Sequence, residues 1–407
     1  MKVYGIVLLY GFLLLFSCKE EAKIPIVKET KFIETVLSPA NDNSSLPFLY
    51  TNENKTLLSW VEKEGDSLNI LKYAELVEGE WQQSKSIFQG TDWFVNWADF
   101  PAIAEQNGNL ISHVLKKSSG GTYSYDVKLN LLPEGETKWK TDLPLHTDGT
   151  PTEHGFVSTL TYNDGFFITW LDGRNTEEDK NGNRGAMTLR AAEVSTTGEI
   201  RNEVELDARI CDCCQTTAAI TENGPVVMYR DRSENEVRDM SIVRWENGNW
   251  TAPKTVYEDN WKINGCPVNG PKSAVLLNTL AMTWFTAANE EPKVQIIFSS
   301  DGGANFDSPV LVAQKNVIGR VDVVLLDDKT AIVSWMEANE GKAKFMAAKI
   351  HRDGTKGKEN VITAMNASRQ SGFPQMERVG DQILFAWTAI SNTQSEVKTA
   401  LVSLEKF

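Results

Sequence analysis

Short apolar runs that end in an aromatic residue recur along the chain. They are Leu57-Leu58-Ser59-Trp60, Phe167-Ile168-Thr169-Trp170, Val226-Val227-Met228-Tyr229, Ala281-Met282-Thr283-Trp284, Ile332-Val333-Ser334-Trp335 and Leu384-Phe385-Ala386-Trp387. Leu110-Ile111-Ser112-His113 fits the same slot, with His in place of the aromatic. The anchors at 60, 113, 170, 229, 284, 335 and 387 are spaced by 53, 57, 59, 55, 51 and 52 residues. A helix would repeat its apolar positions at three and four. These runs are short, rich in β-branched and aromatic residues, and bounded by Gly, Asn and Asp, so they read as strands.

Each anchor run is preceded by another apolar run across a turn, as in Phe100 to Ile103, Gln106-Asn107-Gly108-Asn109 and the anchor strand. Asn-Gly favours a tight hairpin because both central positions take positive φ. A third strand follows each anchor, and then a turn with Gly at 79, 135, 198, 248, 303 or 354. A fourth strand closes the unit. Four antiparallel strands repeated about every 54 residues predict an all-β fold, a seven-bladed β-propeller. The seventh unit ends one strand short after Trp387. Residues near 31–38, with Phe32-Ile33-Glu34-Thr35-Val36-Leu37, are expected to supply that strand and close the ring, removing a bare edge.

Composition changes this picture at the N-terminus. Lys2, an apolar run from Val3 to Phe16, and Leu15-Phe16-Ser17-Cys18 follow in signal-peptide order. The last four resemble a bacterial lipobox, which implies cleavage after residue 17 and lipid on Cys18. Residues 1–17 are thus expected to be a signal, 18–30 a polar tether, and 31–407 the propeller. Lys19-Glu20-Glu21 resembles an acidic tag for the cell surface, so the expected location is the bacterial envelope, lipid-anchored at the outer membrane. The net charge of −14 disfavours nucleic acid as a partner. The lipid is the only membrane contact expected, and no cofactor is expected.

Ser299-Ser300-Asp301-Gly302-Gly303-Ala304-Asn305-Phe306 resembles the Asp-box of sialidase-like (BNR) propellers, with Asn305 at the usual Thr position. The box is expected to fold the turn between third and fourth strands and to pack its aromatic between blades. Trp81, Trp139 and Trp250 are expected to pack likewise. Catalytic sialidases carry a Phe/Tyr-Arg-Ile-Pro phrase near the first blade and have six blades. The nearest phrase here, Ser45-Leu46-Pro47-Phe48, lacks the Arg, and seven units are counted. The resemblance therefore implies the fold of a sialidase rather than its reaction. Longer pieces, including Cys211 to Thr216, Tyr229 to Arg232, Gly265 to Pro271 and Gly319 to Asp322, resemble bacterial propellers of the same sialidase-like kind.

Loops that join blades, and loops after the anchor strand, share the top face. They carry Trp93, Trp97, Asp99, His146, Glu153, His154, Arg174, Trp261, Arg320 and Arg369. Arg174, Arg230, Arg232, Arg238 and Arg320 are candidates to hold a carboxylate or sulfate, because a guanidinium binds such anions bidentately. Trp93, Trp97 and Trp261 are candidates to stack on sugar rings. Asp231, Asp322, Asp172, His154 and Tyr229 are candidate catalytic groups, with Asp99 and Glu153 as further carboxylates. The competing expectation is that these Arg and Asp residues pair with each other and cap the channel.

With Cys18 lipidated, four cysteines remain. Cys211, Cys213, Cys214 and Cys266 predict two disulfides, the alternative being a thiolate site for copper(I) or zinc. His113 is expected to be a core histidine. The leading functional expectation is an envelope lipoprotein that binds or processes an anionic saccharide, glycoside hydrolase-like if enzymatic. A non-catalytic module for protein interaction or metal handling through the cysteines, and a polysaccharide lyase, are the alternatives.

Overall fold

A computed structural model describes residues 1–2, 32–178, 182–391 and 394–407. The signal, Cys18 and the tether lie outside the described residues. Residues 33–407 form one compact unit.

That unit is a seven-bladed β-propeller of antiparallel blades. Every anchor falls in the second strand of its blade. Trp60 lies in Thr56–Glu64, His113 in Asn109–Lys117, Trp170 in Gly165–Asp172 and Tyr229 in Gly224–Arg230. Trp284 lies in Thr279–Thr286, Trp335 in Thr330–Asn339 and Trp387 in Gln382–Ser391. The side chains of Trp60, Trp170, Trp284 and Trp335 are fully buried. Each removes on the order of 200 Å² of surface from water, worth up to about 5 kcal/mol.

Glu34–Val36 pairs with Gln394–Ser403, Thr35 lying opposite Ala400. The ring thus closes through the N-terminal strand. In blades one and four the outermost strand is split, as Glu80–Trp81 with Lys85–Gly90 and as Asn249–Trp250 with Lys254–Tyr257.

The blades are joined by aromatics at the turn between third and fourth strands. The Trp81 indole donates to Thr399 of blade seven. Trp139 meets Tyr73 of blade one edge-on, and Trp250 lies 5.8 Å from Phe167 of blade three. Phe306 packs in a cluster with Val226 and Met228 of blade four. It belongs to the Asp-box turn, where the Ser299 hydroxyl and the Asp301 carboxylate accept the backbone N–H groups of Gly303 and Asn305. The Asn305 amide donates to Asp301, replacing the usual Thr.

A second set of links runs around the channel rim. The innermost strands of blades one, three and six are bulged, with Leu46, Phe156 and Arg320 at positive φ. At each bulge the freed N–H is accepted by a side chain of the preceding blade: Thr388, Asp99 and Asn269 respectively. Each bulge leaves a residue out of the ladder and bends the strand there.

Candidate functional site

Top-face residues gather in several separate places, and the arginines do not form one open cluster. Arg230 is 1% exposed and donates only to backbone oxygens, those of Asn269, Arg238 and Phe285. Its guanidinium lies 4.8 Å from the Trp261 ring centroid. Arg232 is shared between Asp212 and Glu236. Arg238 donates to Glu236 and to the Cys211 sulfur. Arg174 is held bidentately by Asp172 and also reaches Glu203. The expectation that Arg and Asp cap the fold by mutual pairing describes Arg174 and Arg232. Trp261 is buried beneath Arg230, and Trp93 is buried in the core of blades one and two.

Asp172 was expected at a catalytic position and holds the scaffold instead. It is fully buried and accepts the indole N–H of Trp170, two residues before it. The same arrangement recurs at Trp60 with Glu62 and at Trp335 with Glu337. An indole N–H sealed in a blade interface needs an acceptor, and a carboxylate two residues on the same strand supplies it.

His154 and Tyr229 are sealed too, at 0% and 1% exposure, so neither presents a surface to a ligand. Tyr229 donates to Asp207. His154 stacks on His146 at 4.0 Å and bonds the Tyr125 carbonyl through Nδ1. Its Nε2 lies 3.5 Å from Asp148 and 3.6 Å from Asp172. These groups could ligate a cation, but the Arg174 guanidinium already supplies positive charge to both carboxylates. Asp231 is half-buried and accepts from Ser241. His113 is a neutral core histidine, pushed down to about 3 by burial.

Asp322 lines the central channel with Lys272 and Glu377. It accepts the N–H of Met376 from blade seven, which makes it a link between blades. Burial raises both carboxyls, Glu377 to about 8, and Lys272 offsets part of the effect.

Tyr125 was not singled out from the sequence. Its hydroxyl donates to Glu153 at 2.7 Å and lies 3.4 Å from Asp99. Glu153 is half-buried, and its carboxyl is pushed up to about 7 by burial and by the nearby Asp212 and Cys266. The ordinary value is 4.5. Between these values the folded state binds more protons than the unfolded chain, so the Glu153 contribution to stability falls as pH rises through that window. Glu153→Gln, which still accepts from Tyr125, removes the loss. Thermal unfolding is expected to show the variant more stable than wild type at about pH 8 and equal to it at about pH 4. A constant difference between the two pH values would contradict the assignment.

Trp97 is the one half-buried indole among the expected sugar platforms. It stacks on Phe373 at 5.7 Å. The guanidinium groups of Arg320 and Arg369 lie 5.1 and 5.7 Å from the indole centroid. Arg320 is buried and donates to the carbonyls of Gly372 and Ser368. Burial and the neighbouring Arg369 push it down to about 10. Neither arginine has a carboxylate partner among the described residues. Asn96, Gln370, Gln394, Ser45 and Ser395 line a groove of about 250 Å³ beside Trp97.

The cysteines converge, but the expected disulfides are not formed. All four thiols are free. The Cys211 sulfur lies 3.3 Å from that of Cys214 and 3.9 Å from that of Cys213, well beyond the roughly 2.05 Å of a bond. Cys266 comes near enough to Cys213 for the two thiols to influence each other's ionisation. Contacts with Cys213 and Cys214, and the charge of Arg230, hold the Cys211 thiol well below its ordinary range. Burial pushes Cys214 up to about 12.

No protein-family model matches the sequence, and no curated protein does. Solved structures of similar fold include a polysaccharide lyase described as PL25 ulvan lyase, at TM-score 0.58 and 11% identity, covering 91% of this chain and 96% of that one. The same lyase bound to -[GlcA(1-4)Rha3S]- gives 0.55 at 10% identity, with 92% and 95% covered. A mutant alpha-L-arabinofuranosidase, arb93a from Fusarium graminearum, gives 0.51 at 10%, covering 92% and 98%. A mutant NanB sialidase from Streptococcus pneumoniae gives 0.46 at 11%, covering 92% and 71%. At these identities the likeness is one of fold alone, that of a β-propeller.

Proposed function

We propose that this protein is a lipid-anchored, sialidase-like propeller of the bacterial cell envelope that binds an anionic saccharide on its top face, at Trp97. The observation that carries the reading is the pair of guanidinium groups at one partly open indole, with no carboxylate among the described residues to neutralise them. An aromatic face accepts the apolar side of a sugar ring, and the guanidiniums favour a carboxylate or sulfate on it. The amides of Asn96, Gln370 and Gln394 add donors and acceptors for hydroxyls. The lyase structure bound to -[GlcA(1-4)Rha3S]-, a uronate and a sulfated sugar, supports an anionic ligand. The lipobox-like Leu15 to Cys18 supports the anchor.

The reading centres the site on the loop between blades one and two, with Arg320 from blade six, Arg369 from the loop into blade seven and groove residues of blades seven and one.

Binding of sulfated and uronate oligosaccharides to the full chain tests this. Trp97→Ala and Arg369→Ala are each expected to weaken binding by about 10-fold or more. A neutral oligosaccharide should bind far more weakly than its acidic counterpart. Equal affinity of both variants and wild type for the acidic ligand would overturn the proposal.

A further inference from the structure

We propose that Cys211, Cys213, Cys214 and Cys266 form a binding site for a thiophilic d10 cation, copper(I) or zinc(II), at the junction of blades three, four and five. The proposal is independent of the saccharide groove and uses none of its residues.

The first support is geometric. Ligands about 2.3 Å from a tetrahedral centre stand roughly 3.8 Å apart. The Cys211 sulfur stands 3.3 Å from Cys214 and 3.9 Å from Cys213. Single ligand atoms of these three residues all lie within 4.8 Å of one another. Cys266 lies outside this group of three but comes near Cys213 from the next inter-blade loop, where it would supply a fourth sulfur on cation binding. Sulfur atoms at these separations are too far apart for disulfides and match the edges of a coordination shell.

The second support is charge. Three or four thiolates around a monovalent or divalent cation leave net negative charge, which a buried site must balance. Arg238 is 2% exposed and donates to the Cys211 sulfur at 3.2 Å. Its other donor group meets Glu236, while its Nε, buried, has no partner. Arg230 stands close enough to act on both Cys211 and Cys214. Among the described residues the grouped ligand atoms are all sulfur, and an all-sulfur donor set selects soft cations over calcium or magnesium.

The third support is placement. Cys211 and Cys214 are buried, Cys213 is half-buried and Cys266 is exposed. An incoming cation meets Cys266 first, displaces the remaining thiol protons to solvent, and ties the loop before blade four to the loop before blade five. The buried pair then shields it on the inner side.

The test uses the full chain, purified and reduced without oxygen. Zinc(II) is added in one arm and copper(I), as a weak competitor complex, in the other. Metal per chain is counted after gel filtration. Cobalt(II) is used as a spectroscopic probe, because thiolate ligation gives sulfur-to-metal charge-transfer bands. One equivalent is expected with cobalt thiolate bands, and the tighter of the two arms identifies the cation. Cys213→Ser and Cys266→Ser lie at half-buried and exposed positions and keep the fold testable by circular dichroism. Cys213→Ser is expected to weaken binding by about 100-fold and to remove one sulfur's share of the charge-transfer intensity. Failure of the reduced, folded chain to take up either cation would overturn the proposal. So would uptake that is unchanged in both serine variants.

Discussion

Arg230→Ala is expected to destabilise the fold by about 4 kcal/mol while leaving saccharide affinity of the folded protein unchanged. The side chain is almost wholly enclosed, and all its hydrogen bonds go to backbone carbonyls. Those oxygens belong to Arg238 in its own blade, to Asn269 in the loop entering blade five and to Phe285 in blade five, so one guanidinium fastens two blades together. Truncation to Ala strands three buried acceptors and exposes the face of Trp261 that the guanidinium covers. Arg230→Lys keeps the charge but cannot span the three carbonyls with a planar fork, so it should lose most of the same stability. Denaturant unfolding measures both variants. A loss under about 1 kcal/mol, or a selective loss of acidic-saccharide binding in a stable variant, would show Arg230 to be a ligand group rather than a fastener.

The second large effect is expected at Asp172. Its carboxylate accepts from the Trp170 indole and from the backbone N–H, Nε and Nη2 of Arg174. Asp172→Ala leaves the buried indole N–H without an acceptor and the Arg174 guanidinium with only Glu203 and the more distant Asp148, a change worth about 3 kcal/mol. Removing Arg174 as well takes away the under-neutralised charge. The Asp172→Ala/Arg174→Leu double variant should therefore lose less stability than the sum of the single variants. Strictly additive losses would contradict the pairing. A catalytic role would give the opposite pattern, with turnover abolished and unfolding little changed.

These two residues show why part of the site is hard to read from a sequence. The blades were legible because strand pattern repeats along the chain and ends each time at one aromatic anchor. The closing strand followed from counting strands, and Glu34–Val36 stands where the count required it. The scaffold role of Asp172 also had a signal. The spacing Trp60-Val61-Glu62, Trp170-Leu171-Asp172 and Trp335-Met336-Glu337 repeats an acid two residues after the anchor, which marks an indole acceptor.

Arg230 had no such signal. Its partners are backbone oxygens, which carry no residue type, and two of the three are contributed by residues 39 and 55 positions away. Tyr125 with Glu153 was equally hidden, since nothing in a third strand marks a tyrosine that will meet a carboxylate across a loop. The cysteines lay between these cases. Their places before the anchors of neighbouring blades brought them together, whereas the separation of the sulfurs depends on backbone geometry that no spacing conveys. Trp97 was visible as a top-face aromatic, but its two guanidinium neighbours come from blade six and the loop into blade seven, some 220 to 270 positions on.

The central claim is that an anionic sugar is held at Trp97, and a crystal structure of the protein soaked with a sulfated uronate disaccharide tests it most directly. The expected result is a sugar ring stacked on the open side of the Trp97 indole, with its carboxylate or sulfate within hydrogen-bond reach of Arg369. A disaccharide seated elsewhere on the top face with Trp97 bare, for instance between Glu153 and Arg238, would contradict it.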